Sequence, residues 1–325
     1  MSPPPRAYLR KHVPSRLEVA MRAAVLYEVG TVPVFADFKE PQPGHEIVEV
    51  LLAGLNPADL YRAAGLYGQL DLPCVVGLEG VARLAGGKRV YFDAPPAPFG
   101  AMAQFAPVDP GAVFHVPDGL DEGVAVALGI AGLAAWLPLT RRADLQPGET
   151  VLVLGASGVV GQIAVQAAKL LGAGRVVAAA RHRPTLEKLL ERGADEIVVL
   201  EGDIAAALKA AAGNGGYDVV LDPLYGPSLE AALQATSQFA RVVTVGASAG
   251  QTATIPVNEL FGRRLSGHSN SFAPLEHRRE AYERMAAHAL AGEIVVDVKK
   301  LPLSDIETAW ALQAKGPHHK LTIIP

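Results

Sequence analysis

The chain has 325 residues, 50% of them hydrophobic, with 29 basic against 33 acidic side chains and a formal charge of −4. That length exceeds one ordinary α/β core and suits two domains, while the slight acidity offers no electrostatic footprint for nucleic acid. One cysteine excludes an intrachain disulfide framework and a cysteine-based zinc cluster, and agrees with a cytoplasmic protein.

Residues 1–20 hold the consecutive prolines Pro3 to Pro5 and several basic side chains with no apolar centre, and read as an N-terminal extension ahead of Met21. From 21 to about 119 the apolar runs are short and broken by Gly and Pro, as at 22–27, 47–53 and 89–93, which predicts a mostly antiparallel β domain. Cys74, between Pro73 and Val75, reads as a small buried apolar residue. From Asp121 an Ala/Leu-rich helix leads out of this block. Its stretch 124–139 is short for a membrane span, contains Gly129, Gly132 and Pro138, and fits a buried helix.

The chain is organised around 151–171. Residues 151–154 form an unbroken apolar run ending at Gly155, as in a strand buried on both faces of a parallel sheet. After Gly161 the apolar positions Ile163, Ala164, Ala167, Ala168 and Leu171 recur at helical spacing, so the period changes across one tight loop. The loop reads Ala156-Ser157-Gly158-Val159-Val160-Gly161, with alanine where a dinucleotide fingerprint usually has its first glycine. Gly158 lets backbone approach a pyrophosphate, Gly161 lets helix and strand pack closely, and the helix N-terminus favours an anion. Taken alone, such small residues can equally mark close packing.

The second run, 176–180, ends where NAD-preferring folds usually carry an acid for the ribose hydroxyls. Here stand Ala180, Arg181, His182 and Arg183. An acid would repel a 2′-phosphate, whereas Arg181 and Arg183 can bind it through charge-assisted hydrogen bonds, which implies NADPH. The competing reading makes both arginines solvated loop charges.

Further strand-like runs at 197–200, 219–222 and 242–245 alternate with helices, the pattern of a doubly wound parallel sheet. The tail, 274–325, carries a helix near 278–290 and a strand near 321–324, and is expected to fold back on the first domain. The charged stretch 276–284 reads as a solvated face, and His318-His319 as surface residues without metal spacing.

Asn56-Pro-Ala-Asp59-Leu-Tyr61-Arg62-Ala-Ala-Gly65-Leu-Tyr67, Leu72-Pro73, Gly77-Leu-Glu79-Gly80, the loop 156–161, Asp222-Pro223 and the run 241–246 follow one another in a recognisable order and spacing. Together they resemble the medium-chain dehydrogenase/reductase superfamily, and within it the zinc-free, zeta-crystallin-like quinone oxidoreductases. The resemblance covers nearly everything after Met21. It implies an α/β protein whose GroES-like β-rich catalytic domain (21–139 and 273–325) is split by a Rossmann domain (140–272), with the active site in the cleft and frequently a homodimer.

Zinc-dependent relatives use a cysteine where this chain has Asn56 and a His-Glu pair where it has Leu78-Glu79. Leucine cannot ligate zinc and a lone carboxylate is a poor site, so no metal is expected and Glu79 reads as a structural carboxylate. The stretch matching 56–67 faces the nicotinamide in that family. The resemblance therefore implies Tyr61 and Tyr67 as donors to an acceptor oxygen, with Asn56 positioning cofactor or substrate. The tyrosines can also be read as apolar cleft walls. The same matching adds Asp222, Gly246, Ala247, Ser248, Ser269 and Asn270 as cofactor contacts, each with a plain turn residue as its rival. The family's Gly-Leu-Thr-Ala segment is Gly132-Leu133-Ala134-Ala135 here, and a lysine and a tyrosine often used for the 2′-phosphate are Thr185 and Leu200. Glycine-lysine near the C-terminus is replaced by Pro317-His318-His319-Lys320. The expected activity is NADPH-dependent, metal-free hydride transfer to a quinone or an α,β-unsaturated carbonyl compound. The alternatives are an enoyl or ketone reductase of a biosynthetic pathway and a non-catalytic NADPH-binding protein.

Overall fold

The computed structural model describes residues 20–42 and 44–325, so the expected extension lies outside the described residues except for Ala20, which opens the first strand. In chain order β1 (Ala20–Leu26), β2 (Val34–Lys39), β3 (Glu46–Leu55), helix α1 (Pro57–Ala63), β4 (Cys74–Val75), β5 (Glu79–Arg83), β6 (Arg89–Asp93), β7 (Phe105–Val108) and β8 (Phe114–His115) build the β-rich part. β1 is paired by β2 and β4 in a small antiparallel sheet. The ten-residue β3 is the spine of a larger sheet, taking β7 along its first half and β5 along its second.

A single apolar rod, Glu122–Arg142, follows. It comprises α2 (Glu122–Ala127), a wide turn (Leu128–Gly132) kinked at Gly129, whose ψ of −113 is not helical, α3 (Leu133–Leu137) and a second wide turn (Pro138–Arg142). By length and composition it could cross a bilayer, yet 78% of its most apolar 18-residue stretch is buried in the protein, so it is a core helix as its glycines and proline suggested. Asp121 starts it by accepting the Gly123 N–H at 2.7 Å, satisfying a donor that would otherwise lack a partner.

Next come β9 (Thr150–Leu154), α4 (Val159–Leu170), β10 (Arg175–Ala180), α5 (Arg183–Leu190), β11 (Glu196–Val199), α6 (Ile204–Ala212), β12 (Tyr217–Asp222), α7 (Gly226–Leu233), β13 (Thr236–Thr244) and β14 (Arg264–Gly267). All six strands are parallel in the order β11-β10-β9-β12-β13-β14, and β9 and β10 are buried on both faces apart from their first residues. This is the doubly wound arrangement that the alternation predicted. Its order reverses between β9 and β12, the switch point at whose carboxyl edge such sheets bind ligands.

The chain then returns through α8 (Leu275–Leu290), β15 (Val298–Pro302), α9 (Ile306–Ala314) and β16 (Lys320–Ile324). β16 pairs antiparallel with the end of β3, so the C-terminus completes the first sheet. One apolar core runs from Leu52, Val81 and Tyr91 beneath the rod to Val151, Ile163 and Tyr282, which makes the rod the joint between the two halves. Tyr91 stacks on Phe114 and on Tyr282 at 5.7 and 5.0 Å within it. The charged stretch of α8 is only partly solvated: Arg278 bonds Asp93 at 2.7 Å and Arg279 donates to the carbonyls of Val113 and Gly111.

Candidate active site

The turn after β9 is shaped for a close approach. Gly155 has φ +58, and a Cβ there would lie 2.9 Å from Pro223, so a side chain is excluded by both strain and space. Ala156 and Ser157 are buried beneath it, and a Cβ on Gly161 would lie 2.5 Å from the Ala156 Cα, the tight strand-to-helix packing expected of that position. Gly158 is exposed, has no crowding neighbour and offers no side chain to cap α4. The first-turn N–H groups at Val159 and Val160 therefore remain available to an anion, and the cradle fits the pyrophosphate of a dinucleotide.

β10 ends at Ala180, after which Arg181, His182 and Arg183 are exposed at the same sheet edge. Arg183 approaches Glu187 one turn on at 4.0 Å, a weak surface pair, and Arg181 forms no ion pair with a described residue. Asp222 is fully buried and committed: one oxygen accepts the Leu224 and Tyr225 N–H groups at 2.8 and 2.9 Å, the other the Thr244 hydroxyl at 3.2 Å. Burial raises its pKa against those hydrogen bonds. These bonds shape the turn after β12. Gly246, Ala247 and Ser248 form the adjoining loop, where the Ser248 hydroxyl donates to the Pro223 carbonyl at 3.1 Å. Ser269 is exposed, whereas Asn270 donates to the Ile130 carbonyl at 2.9 Å.

Beneath the cleft lies a buried polar cluster built by sheet register. Gly54 of β3 faces Glu79 of β5 on one side and Thr322 of β16 on the other, which draws Glu79, Lys320 and Asn56 together. A Cβ at Gly54 would come within 2.6 Å of the Glu79 Oε1, so glycine makes the room. Glu79, fully buried, accepts from four donors: Asn56 Nδ2 at 2.8 Å, Lys320 Nζ at 2.6 Å, Tyr91 OH at 2.8 Å and the Ile130 N–H at 2.6 Å. It is the structural carboxylate expected. Asn56 also accepts from Lys320 at 2.6 Å, so both ends of its amide face inward. Asp59 accepts the Asn56 and Leu78 N–H groups at 2.8 and 3.0 Å. Burial pushes its pKa up from 3.8 to about 7, opposed by the Asn56 N–H, reinforced by Glu79 and moderated by Lys320.

The Ile130 peptide thus bonds Glu79 through its N–H and Asn270 through its carbonyl, pinning the wide turn of the rod between both halves of the molecule. Lys320 and Tyr91 were not singled out from sequence. For Lys320 the signals were its place at the head of the apolar run 321–324 and in the segment that replaces the family's glycine-lysine pair.

A zinc ion does not fit here. Leu78 has no ligating atom, both polar atoms of Asn56 are used, and the ammonium of Lys320 already supplies the cation that Glu79 requires. Among the described residues no cluster of three metal-ligating side chains occurs.

Tyr61 and Tyr67 bracket the end of α1 with rings edge to face at 6.3 Å, and neither hydroxyl bonds another described residue. Burial, then the Tyr61 neighbour, raises the Tyr67 pKa, which keeps its proton for donation at neutral pH. Cys74 departs from expectation. It is half-buried and lines a cavity of about 240 Å³ with Asp59, Arg62 and Asp71, and burial raises its thiol pKa. His318 and His319 depart as well, being half-buried where the C-terminal return passes the dinucleotide loop.

Comparisons with known proteins agree with this geometry. A family model described as zinc-binding dehydrogenase matches residues 159–289, which leaves out Asn56 and Leu78-Glu79. The chain is 30% identical over 260 residues to quinone oxidoreductase-like protein 2 of Bos taurus, covering 75% of this chain and 73% of that one. It is 28% identical over 301 residues to a phenolphthiocerol/phthiocerol polyketide synthase component of Mycobacterium tuberculosis, covering 86% of this chain and 13% of that protein. The crystal structure of a probable oxidoreductase from Mycobacterium abscessus superposes with a TM-score of 0.81 at 27% identity, covering 95% of this chain and all of the other. The fold, the dinucleotide loop and these relatives lead to one assignment: the chain belongs to the medium-chain dehydrogenase/reductase superfamily, in its quinone oxidoreductase-like branch, and is an oxidoreductase of that family.

Proposed function

We propose that this oxidoreductase binds NADPH and, without zinc, transfers its hydride to a quinone or an α,β-unsaturated carbonyl compound. The observation that carries the reading is the sheet edge itself, where an open, uncapped loop at 155–161 adjoins Arg181 and Arg183 in place of an acid. Ala156 to Gly161 would hold the pyrophosphate, the two arginines the 2′-phosphate, and the loop 246–248 with Ser269 the nicotinamide end. The cofactor supplies two electrons as hydride. The chain supplies a proton or a hydrogen bond at the acceptor oxygen from Tyr61 or Tyr67, while Asn56, held by Lys320 and Glu79, positions the start of α1. A quinone leaves as a stabilised phenolate and depends less on that donor than an enone does.

The test follows NADPH consumption against a panel of quinones, enals, enones and simple ketones, with metal content measured on the same sample. Arg181→Ala should weaken NADPH by about tenfold to a hundredfold while changing NADH little, since one charge-assisted hydrogen bond contributes roughly 1.5 to 3 kcal/mol. Equal losses for both cofactors, or stoichiometric zinc, would remove the assignment. The match to a polyketide synthase favours a second reading, an enoyl or ketone reductase of a biosynthetic pathway, which enone-only turnover would support. Tight NADPH binding with no turnover of any acceptor would favour a non-catalytic role.

A homodimer belongs to the same proposal. Strand β14 is an edge of the parallel sheet, and Phe239, Val257 and Phe261 beside it are 70%, 65% and 68% exposed.

A further inference from the structure

His182 and His318 lie 136 positions apart yet stack face to face, with ring centroids 4.0 Å apart and planes within 8° of parallel. Each ring is held. The His182 Nδ1 bonds the Thr185 hydroxyl at 2.8 Å in the first turn of α5. His318 adopts the left-handed φ of +58, uncommon outside glycine, and its carbonyl accepts from Gln162 of α4 at 2.8 Å. The same Gln162 amide, nearly fully buried, donates to the Ser157 carbonyl at 2.9 Å. A strained backbone, a buried glutamine and a stacked pair thus fix an imidazole against the dinucleotide loop, beside Arg181.

We propose that His182 and His318 form a proton-taking clamp on the cofactor's 2′-phosphate, so that binding the phosphorylated adenosine draws a proton onto the pair. The inference rests on the NADPH reading and adds a named subsite to it. A charged His318 ring would face the His182 ring at this spacing and the Arg181 guanidinium as well, so the free His318 resists charging. A phosphate dianion beside it reverses the balance by offering each ring an opposite charge. The other groups facing the pair agree with that sense. Burial, then His182, lowers the His318 pKa, opposed by the Ser157 carbonyl and followed by smaller lowering from His319 and Arg181. His319 on the far side is itself held low by burial and by Lys299, with Asp297 opposing and Lys188 adding to the lowering.

The experiment is calorimetric titration of the purified protein with 2′,5′-ADP and with 5′-AMP, which differ only in the 2′-phosphate, between pH 7 and 8.5, in pairs of buffers of unlike ionisation heat. In that range the phosphate is already dianionic, so protons taken up come to the protein. 2′,5′-ADP should bind with net proton uptake and weaken as pH rises, by up to about tenfold per unit if one full proton is coupled, while 5′-AMP stays flat. His318→Asn, which tolerates the left-handed backbone, and separately His182→Gln should remove most of the uptake yet leave a preference for 2′,5′-ADP through Arg181. A preference without proton uptake, or uptake unchanged in both variants, would overturn the clamp alone. Equal binding of the two nucleotides at every pH would overturn the NADPH reading and the clamp with it.

Discussion

Asp59 brings an acidic carboxyl into the interior with two backbone N–H partners and no cation of its own, and its pKa rises to about 7 in consequence. Below about pH 4 the group is neutral in folded and unfolded chains alike. Between pH 4 and 7 the unfolded chain releases a proton that the folded one keeps, so the stability this group contributes falls as pH rises, and above 7 the deficit is constant at a few kcal/mol. Asp59→Asn cannot ionise. Its melting temperature should therefore drop less between pH 5 and pH 8 than that of the wild type, measured as the difference between the two curves. The difference matters because His268 and His318, whose pKa values burial lowers, act in the opposite sense over the same interval. An equal slope in both proteins would mean that Asp59 is ionised throughout. Tyr61 and Tyr67 carry the second prediction at this scale. The doubly substituted Tyr61→Phe, Tyr67→Phe protein should lose kcat/KM on enones by about a hundredfold or more and on quinones by much less. Full retention on both would reduce the pair to apolar walls.

The rod from α2 to α3 shows what one element must satisfy at once. Its wide turn places the Ile130 peptide between Glu79 and Asn270, and a Cβ on Gly129 would lie 2.1 Å from the Tyr91 ring. Gly129→Ala should lower stability by about 2 kcal/mol or more, because the methyl group displaces a buried tyrosine whose hydroxyl bonds Glu79. Differential scanning calorimetry reads this as a melting temperature lower by several degrees, and an unchanged value would show that the rod can shift freely. The residues of this element were legible as a buried helix, since apolar periodicity and an Ala/Leu-rich composition are local signals. The same holds for β6, whose expected limits 89–93 match, and for the change of period at Gly161 that marks the dinucleotide loop. Partners fixed by register were not legible. Glu79 and Lys320 are 241 positions apart, and only the pairing of β16 and β5 on either side of Gly54 brings them together. His318 was read as a surface residue for the same reason, because nothing in its neighbourhood along the chain announces the ring it stacks on.

The whole molecule leaves the two edges of its parallel sheet unequal. β11 is a short outer strand with two helices, α5 and α6, packed beside it, whereas β14 presents mostly exposed side chains and a free row of backbone groups. An open edge beside Phe239, Val257 and Phe261 invites pairing with another strand. A second copy related by a two-fold axis would set β14 antiparallel to its equivalent and cover both phenylalanines, continuing one sheet through two chains. Stable pairing of this kind requires roughly 800 Å² from each partner, which the strand alone cannot supply and the apolar flank can. Sedimentation equilibrium of the wild type should accordingly give twice the mass of one chain. Phe261→Glu places like charges near the axis and removes apolar area, and should shift the species to monomer at micromolar concentration, with NADPH affinity per chain unchanged because the residue lies away from the loop at 155–161. A monomeric wild type would leave the edge to some other partner and end the proposal. A dimer insensitive to Phe261→Glu would move the interface elsewhere on the molecule.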